Sequence, residues 1–315
     1  MKQFTVEQFK TWGAEGGRTS HRALSSRQAK MMALHAAAAK RTRHTEQPVT
    51  KRTGKAAHGT QEWATHNVNI QTGCEHDCKY CYAKSMAIRF KRSTSSSWKT
   101  PEIHQGKVAL AHRKRDGKTM FPTTHDITPL NIDACTDVIF KMLTAGNEVL
   151  IVTKPHLPCV KHLCSKLTPY RKQILFRFTI GTINDAVMRF WEPNTTSFGE
   201  RLECLKYAFF ESFNTSVSSE PMLDGESDKV VEAVKPYVTD AIWLGRVNQI
   251  KQALSHNCPN DVDARRMAEE LMAVQTDKWV SDLYDRHRAD SKVKWKDSIK
   301  KVVGLDRPTE TGLDV

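Results

Sequence analysis

Three cysteines lie close together in Thr72-Gly73-Cys74-Glu75-His76-Asp77-Cys78-Lys79-Tyr80-Cys81-Tyr82-Ala83, spaced C-x3-C-x2-C. They follow the alternating, strand-like run Asn67-Val68-Asn69-Ile70-Gln71. Three thiolates on one short loop can hold three irons of a [4Fe–4S] cube, whereas an inert electron carrier normally supplies a fourth thiolate. The fourth iron of such a cube is then free for a small ligand. Zinc and a simple iron–sulfur electron carrier are the other chemistries these residues allow. Zinc prefers four protein ligands, usually as two paired groups along the chain. Here His76 completes a set only if it folds back inside the same loop. The flanks favour the cluster: a strand before the loop, Tyr80 before the last cysteine, and Tyr82-Ala83 opening a helical stretch.

The elements that must position this loop alternate from Val68 onward. Strand-like runs at 68–71, 120–124, 148–153, 174–180, 214–220 and 241–244 are separated by helix-like runs at 83–92, 133–145, 160–166, 198–210 and 227–235. Six strands joined by helical crossovers predict an α/β fold, a partial (β/α)6 barrel of TIM type. Chemistry in such a fold gathers at the C-terminal ends of the strands. The cysteine loop follows the first strand and so falls on that face. Residues 1–62 read as a basic helical extension and linker, with a Ser-capped, Ala-rich helix from Ser25 to Lys40. Residues 63–250 read as the barrel core and 251–315 as a helical cap, with Trp295–Ile299 a candidate final segment closing the barrel.

Several blocks resemble the spore photoproduct lyase branch of the radical S-adenosylmethionine (SAM) superfamily. They are Gly73 to Ala83, Val152-Thr153-Lys154, Phe176-Arg177-Phe178-Thr179-Ile180, Phe190-Trp191-Glu192-Pro193 and Arg201-Leu202-Glu203, within roughly Asn67 to Asn248. The resemblance implies a [4Fe–4S] cluster on Cys74, Cys78 and Cys81, with the amino-carboxylate end of SAM on the fourth iron. It also implies a one-electron donor of flavodoxin or ferredoxin type. One electron passed into the sulfonium then gives methionine and a 5′-deoxyadenosyl radical that abstracts hydrogen from a substrate. Lys154 and Thr179, ending neighbouring strands, are expected to reach the SAM carboxylate and ribose. Tyr80 is expected to present its backbone to the adenine, and Asp126 to meet the amino group in place of the usual Gly-Gly-Glu. Glu192 and Arg201 read either as SAM contacts or as a structural ion pair. The lyase's hydrogen-donating cysteine is replaced here by Thr123 and Thr124, and Cys135 reads as a buried helix residue. Thymine-dimer reversal is therefore not supported.

Composition bounds the rest. The 315 residues are 39% hydrophobic and carry a net charge of +13. No apolar run approaches the roughly 20 residues a membrane span needs, and residues 1–12 have no signal-peptide core. A cytoplasmic protein with free thiols is expected. Cys159 and Cys164, with His156 and His162 nearby, are a candidate second metal site. Residues 1–60 hold twelve Lys/Arg against three Glu, and Lys84 to Lys118 hold ten against Glu102 and Asp116. Such concentration predicts a polyanion partner, DNA or RNA, gripped through the basic extension; the alternative is a solvated basic tail. Two rival functions stay open: a non-catalytic iron–sulfur or zinc nucleic-acid-binding protein, and a radical SAM enzyme acting on a peptide or small metabolite.

Overall fold

The computed structural model describes residues 57–313. The helix expected at Ser25–Lys40 and nearly all of the basic extension lie outside the described residues. Nine strands follow in order: β1 (His66–Asn67), β2 (Gln71–Thr72), β3 (Glu102–Ile103), β4 (Lys118–Phe121), β5 (Glu148–Thr153), β6 (Ile174–Thr179), β7 (Asn214–Ser219), β8 (Ile242–Leu244) and β9 (Val293–Trp295). Seven of them make one parallel sheet in the order β1-β4-β5-β6-β7-β8-β9, while β2 and β3 pair antiparallel on their own. A parallel sheet in sequence order with helical crossovers is the expected α/β architecture, open between β1 and β9 among the described residues.

The strands form here because both faces of the sheet are buried, which selects near-continuous apolar runs. Val149 and Ile151 of β5, Phe176 and Phe178 of β6, Val217 of β7 and Ile242 and Leu244 of β8 belong to the large core. The opposite parity, Met120, Leu150, Leu175 and Trp243, packs with Trp63 in a second core. Arg177 lies on this inner side, fully buried. Its Nε donates to Ser216 Oγ at 2.9 Å and its Nη2 to Asp240 at 3.0 Å, and its guanidinium lies 4.7 Å from the Trp63 ring centre. The arginine in the Phe-Arg-Phe-Thr-Ile block is thus spent on the core.

Two strand expectations shift. The run predicted at 68–71 leaves the sheet after Val68, whose N–H still bonds Met120 O at 3.0 Å. Asn69 then turns its side chain to the loop beyond β4: its Oδ1 accepts from the amides of Thr123 and Thr124 at 2.7 and 2.9 Å. A side chain replaces the ladder, so only His66–Asn67 pairs in the large sheet, and Gln71 pairs instead with Ile103 in the small one. At the other end β9 pairs in parallel with β8, so residues 251–315 supply a seventh strand as well as helices.

The segment before β1 is also ordered. Buried Lys296, just past β9, reaches Glu62 Oε1 at 2.8 Å and Glu220 Oε2 at 3.3 Å and donates to Gly59 O at 2.9 Å. It also lies 4.0 Å from the Trp63 ring centre. Residues 59–62, read from sequence as linker, are pinned to the body by that contact. No helix among the described residues is long and apolar enough to cross a membrane.

Candidate cluster and SAM site

Gly73 opens the cysteine loop because the chain needs a left-handed residue pressed against backbone there. Its φ is +87°, and a Cβ would sit 2.5 Å from Trp98 O. The next amide, Cys74 N–H, donates to that same carbonyl at 2.9 Å. Cys74 and Cys78 are buried and Cys81 is half-buried, and no cysteine among the described residues is in a disulfide. Cys81 caps the helix Tyr82–Arg89, its sulfur accepting from Lys84 N–H at 3.4 Å. The backbones of Asp126 and His76 act to lower the pKa of the Cys74 thiol. Amides aimed at sulfur, and a helix N-terminus, favour a thiolate. Burial opposes it and pushes the Cys74 thiol up to about 12, and Cys78 well above its ordinary value. Burial thus favours the neutral thiols unless positive charge is placed beside the sulfurs.

The donor set fits a multi-iron group better than a single ion. In a cube each cysteine takes a different iron, so the sulfurs need not converge. The group of ligand atoms that does converge within 4.8 Å is Cys74, His76 and Asp126, which leaves Cys78 and Cys81 unused. His76 is already committed: fully buried, it bonds Asp126 Oδ2 through Nδ1 at 2.9 Å and His156 Nε2 through Nε2 at 2.8 Å. Cys159 and Cys164 pack in the large core with Cys135 and Cys204, in no metal-ligating group among the described residues. Cys135 is fully buried in the helix Ile132–Thr144, as expected.

Lys154, just past β5, and Asp126, in the loop after β4, meet beside the cysteines. Asp126 Oδ1 accepts from Lys154 N–H at 2.7 Å and from Thr153 Oγ1 at 3.0 Å, and Oδ2 lies 3.6 Å from Lys154 Nζ. Burial alone would raise the Asp126 pKa, but Lys154 and His76 hold it well below the ordinary carboxylate range. Burial likewise works against the Lys154 ammonium, and Asp126, Cys78, Tyr80 and Glu192 together outweigh it and raise its pKa. The site thus keeps a permanent cation beside the sulfurs and a carboxylate with many protein partners, an arrangement suited to holding the ends of two strands.

Thr179 ends β6, and its carbonyl accepts from Arg201 Nη1 at 3.0 Å. Arg201 also donates to Thr196 O at 3.2 Å, to Thr195 Oγ1 at 2.6 Å and to Glu192 Oε2. Tyr80 O–H donates to Glu192 Oε1. Both members of the Glu192–Arg201 pair are 0% exposed. Through Tyr80 the pair ties the cysteine loop to the end of β6.

Sequence reasoning missed the clamp on the other side. Asn257, ending the helix Ile250–Asn257, donates through Nδ2 to Lys79 O at 2.8 Å and Cys81 O at 2.9 Å, the carbonyls on either side of Tyr80. Asp261 takes the Lys79 ammonium at 2.6 Å. No local pattern marks either residue, because their partners lie some 180 positions earlier. Asn257→Ala leaves two carbonyls without their donor and is expected to cost about 1–3 kcal/mol of loop order. The measurement is the rate at which a chelator strips iron from the reconstituted protein, which should rise; an unchanged rate would remove Asn257 from the site.

Comparison with known proteins places the fold. The chain shares it with spore photoproduct lyase. A doubly substituted form of that enzyme, with bound AdoMet and dinucleoside spore photoproduct, matches with a TM-score of 0.50 at 14% identity, over 78% of this chain and 79% of the other. A singly substituted form matches with a TM-score of 0.50 at 16% identity over the same shares. An uncharacterized protein of the Acidianus two-tailed virus is 26% identical over 185 residues, 55% of this chain. That match spans 59% of the viral protein's own length. No family model matches the sequence.

Proposed function

We propose that the protein is a radical SAM enzyme, with Cys74, Cys78 and Cys81 holding a [4Fe–4S] cluster and SAM as co-substrate. The observation that carries this reading is the C-x3-C-x2-C loop. It lies beyond the first strand of a parallel sheet, with no disulfide among its cysteines and the Cys81 sulfur accepting from the Lys84 amide. The spore photoproduct lyase fold supports it. When bound, the two groups supply a 5′-deoxyadenosyl radical for hydrogen abstraction. The chain's own part is to hold and shield. Lys154 offers a charged donor to a carboxylate, Thr179 a hydroxyl to a ribose, and the Tyr80 peptide, fixed from both sides by Asn257, an edge to a base. Asp126 is the candidate for the amino group, with Glu192 and Arg201 bracing behind. A one-electron donor of flavodoxin or ferredoxin type completes the requirement.

The substrate we assign is a nucleic acid or a nucleoprotein, on the strength of charge. The alternatives are a non-catalytic metal protein that binds nucleic acid, and a radical SAM enzyme acting on a peptide or small metabolite. Anaerobic reconstitution with iron and sulfide, then dithionite and SAM, tests the core of the reading. Formation of 5′-deoxyadenosine is expected; a stable cluster without any SAM cleavage would overturn it in favour of the non-catalytic protein. Lys154→Ala and Thr179→Ala are each expected to weaken SAM binding by about 1–3 kcal/mol, with iron content unchanged. Calorimetric titration showing wild-type affinity in both would exclude them as contacts.

A further inference from the structure

The helix Tyr82–Arg89 packs one face against the body and leaves another open. Ala83, Lys84, Ser85 and Ala87 are buried, whereas Tyr82, Met86 and Phe90 are 57%, 40% and 56% exposed. At four-residue spacing these three fall on one side, in a row of about 12 Å. One end of the row is fixed near the cysteines, because the Tyr82 hydroxyl donates to Thr123 O, in the loop beyond β4, at 2.6 Å. At the other end the guanidinium groups of Arg89 and Arg92 each lie 5.6 Å from the centre of the Phe90 ring. Beside it is a concavity of about 540 Å³ whose lining includes Lys91, Arg92, Ser93 and Thr94.

The chemistry of this strip narrows what covers it. An apolar protein surface would desolvate the cations without a counter-charge. The basic first sixty residues, or this strip of a second copy, would bring like charge to it. A polyanion carrying flat rings satisfies both parts, phosphates meeting the cations and bases stacking on the aromatic and thioether side chains. Bases offer their faces only when unstacked from a duplex, and stacking platforms flanked by basic residues are how single strands are held.

We propose that Tyr82, Met86 and Phe90, with Arg89 and Arg92, form a track for single-stranded nucleic acid that leads to the mouth of the cysteine site. This rests on the reading of nucleic acid as substrate and is independent of SAM cleavage. The test is fluorescence anisotropy of a labelled oligo-dT single strand and a duplex of equal length, titrated with the full chain over a range of salt. Tighter binding of the single strand is expected. The Met86→Ala, Phe90→Ala double variant should bind the single strand about tenfold more weakly with the same salt slope, since it loses stacking and no phosphate contact. Arg89→Gln with Arg92→Gln should instead flatten the slope, by up to about 2. Iron content and circular dichroism should match wild type in both, because all four side chains are exposed. Wild-type affinity in the Met86, Phe90 variant, or preference for the duplex, would overturn the track while leaving nucleic acid as substrate. Absence of salt-sensitive binding by the wild-type chain would overturn both. A changed sedimentation coefficient in the variant, without a change in affinity, would give the strip to a second copy of the chain.

Discussion

Alanine at Cys74, Cys78 or Cys81 is expected to abolish iron loading and SAM cleavage, each substitution alone being sufficient. Each thiolate is proposed to hold a separate iron, so the loss of one opens a corner of the cube that no other thiolate of the loop can close. His76 is the only other metal-binding side chain among the residues between Cys74 and Cys81 besides the carboxylates of Glu75 and Asp77, and it is engaged by Asp126 and His156. Cys135, Cys159, Cys164 and Cys204 are buried in the core among the helices, so alanine at any of these should leave iron content unchanged. Iron analysis, visible absorbance and chromatography of 5′-deoxyadenosine after anaerobic reconstitution give the readout. Full iron and full 5′-deoxyadenosine in all three loop variants would end the cluster assignment.

The largest effect on stability is expected at Arg201. Removing one partner of a buried ion pair strands the other charge in low dielectric, at roughly 3–5 kcal/mol. Arg201→Ala does this to Glu192 and also takes donors from Thr179 O and Thr196 O. Burial pushes the Glu192 pKa up, and Arg201, Lys154 and the Tyr80 hydroxyl together outweigh it and hold the group below its ordinary value. A depressed carboxylate stabilises the fold above the ordinary carboxylate range, and this contribution is lost as pH falls through that range. The gap between wild type and Arg201→Ala should therefore be widest near neutrality and narrow toward pH 4. Urea unfolding at both pH values measures it. An equal gap at both would mean that packing, and not the stranded charge, dominates. Glu192→Gln, which keeps the shape and removes the charge, should be milder than Arg201→Ala.

What could be read in advance followed from local pattern. β5, β6 and the helix Phe198–Phe210 lie where apolar runs and periodicity put them, because both faces of those strands are buried and the helix has one core-facing stripe. The cysteine spacing was legible because a metal loop is a short-range device. β1 was displaced because Asn69, a residue that alternation counts merely as polar, gives its side chain to the amides of Thr123 and Thr124. The candidate closing segment Trp295–Ile299 meets β9 only at Trp295 and runs on into the helix Asp297–Val303, since Val293-Lys294-Trp295 is too short to carry a pattern. Lys296 would read as surface charge by composition, and its burial between Glu62 and Glu220 depends on partners from two distant parts of the chain. Asn257 and Asp261 escaped for the same reason.

That last clamp bears on when the proposed cluster could be acquired. Asn257 grips carbonyls 178 and 176 positions earlier in the chain, and the sheet's final strand comes later still, at Val293–Trp295. During synthesis the cysteines emerge from the ribosome long before the residues that fix their loop. Until then the three thiols hang on a segment free to meet oxidants, stray zinc or one another. On the proposed assignment, the loop that would hold the cluster reaches its final geometry only when the last fifth of the chain has arrived, and not when the cysteines themselves are exposed.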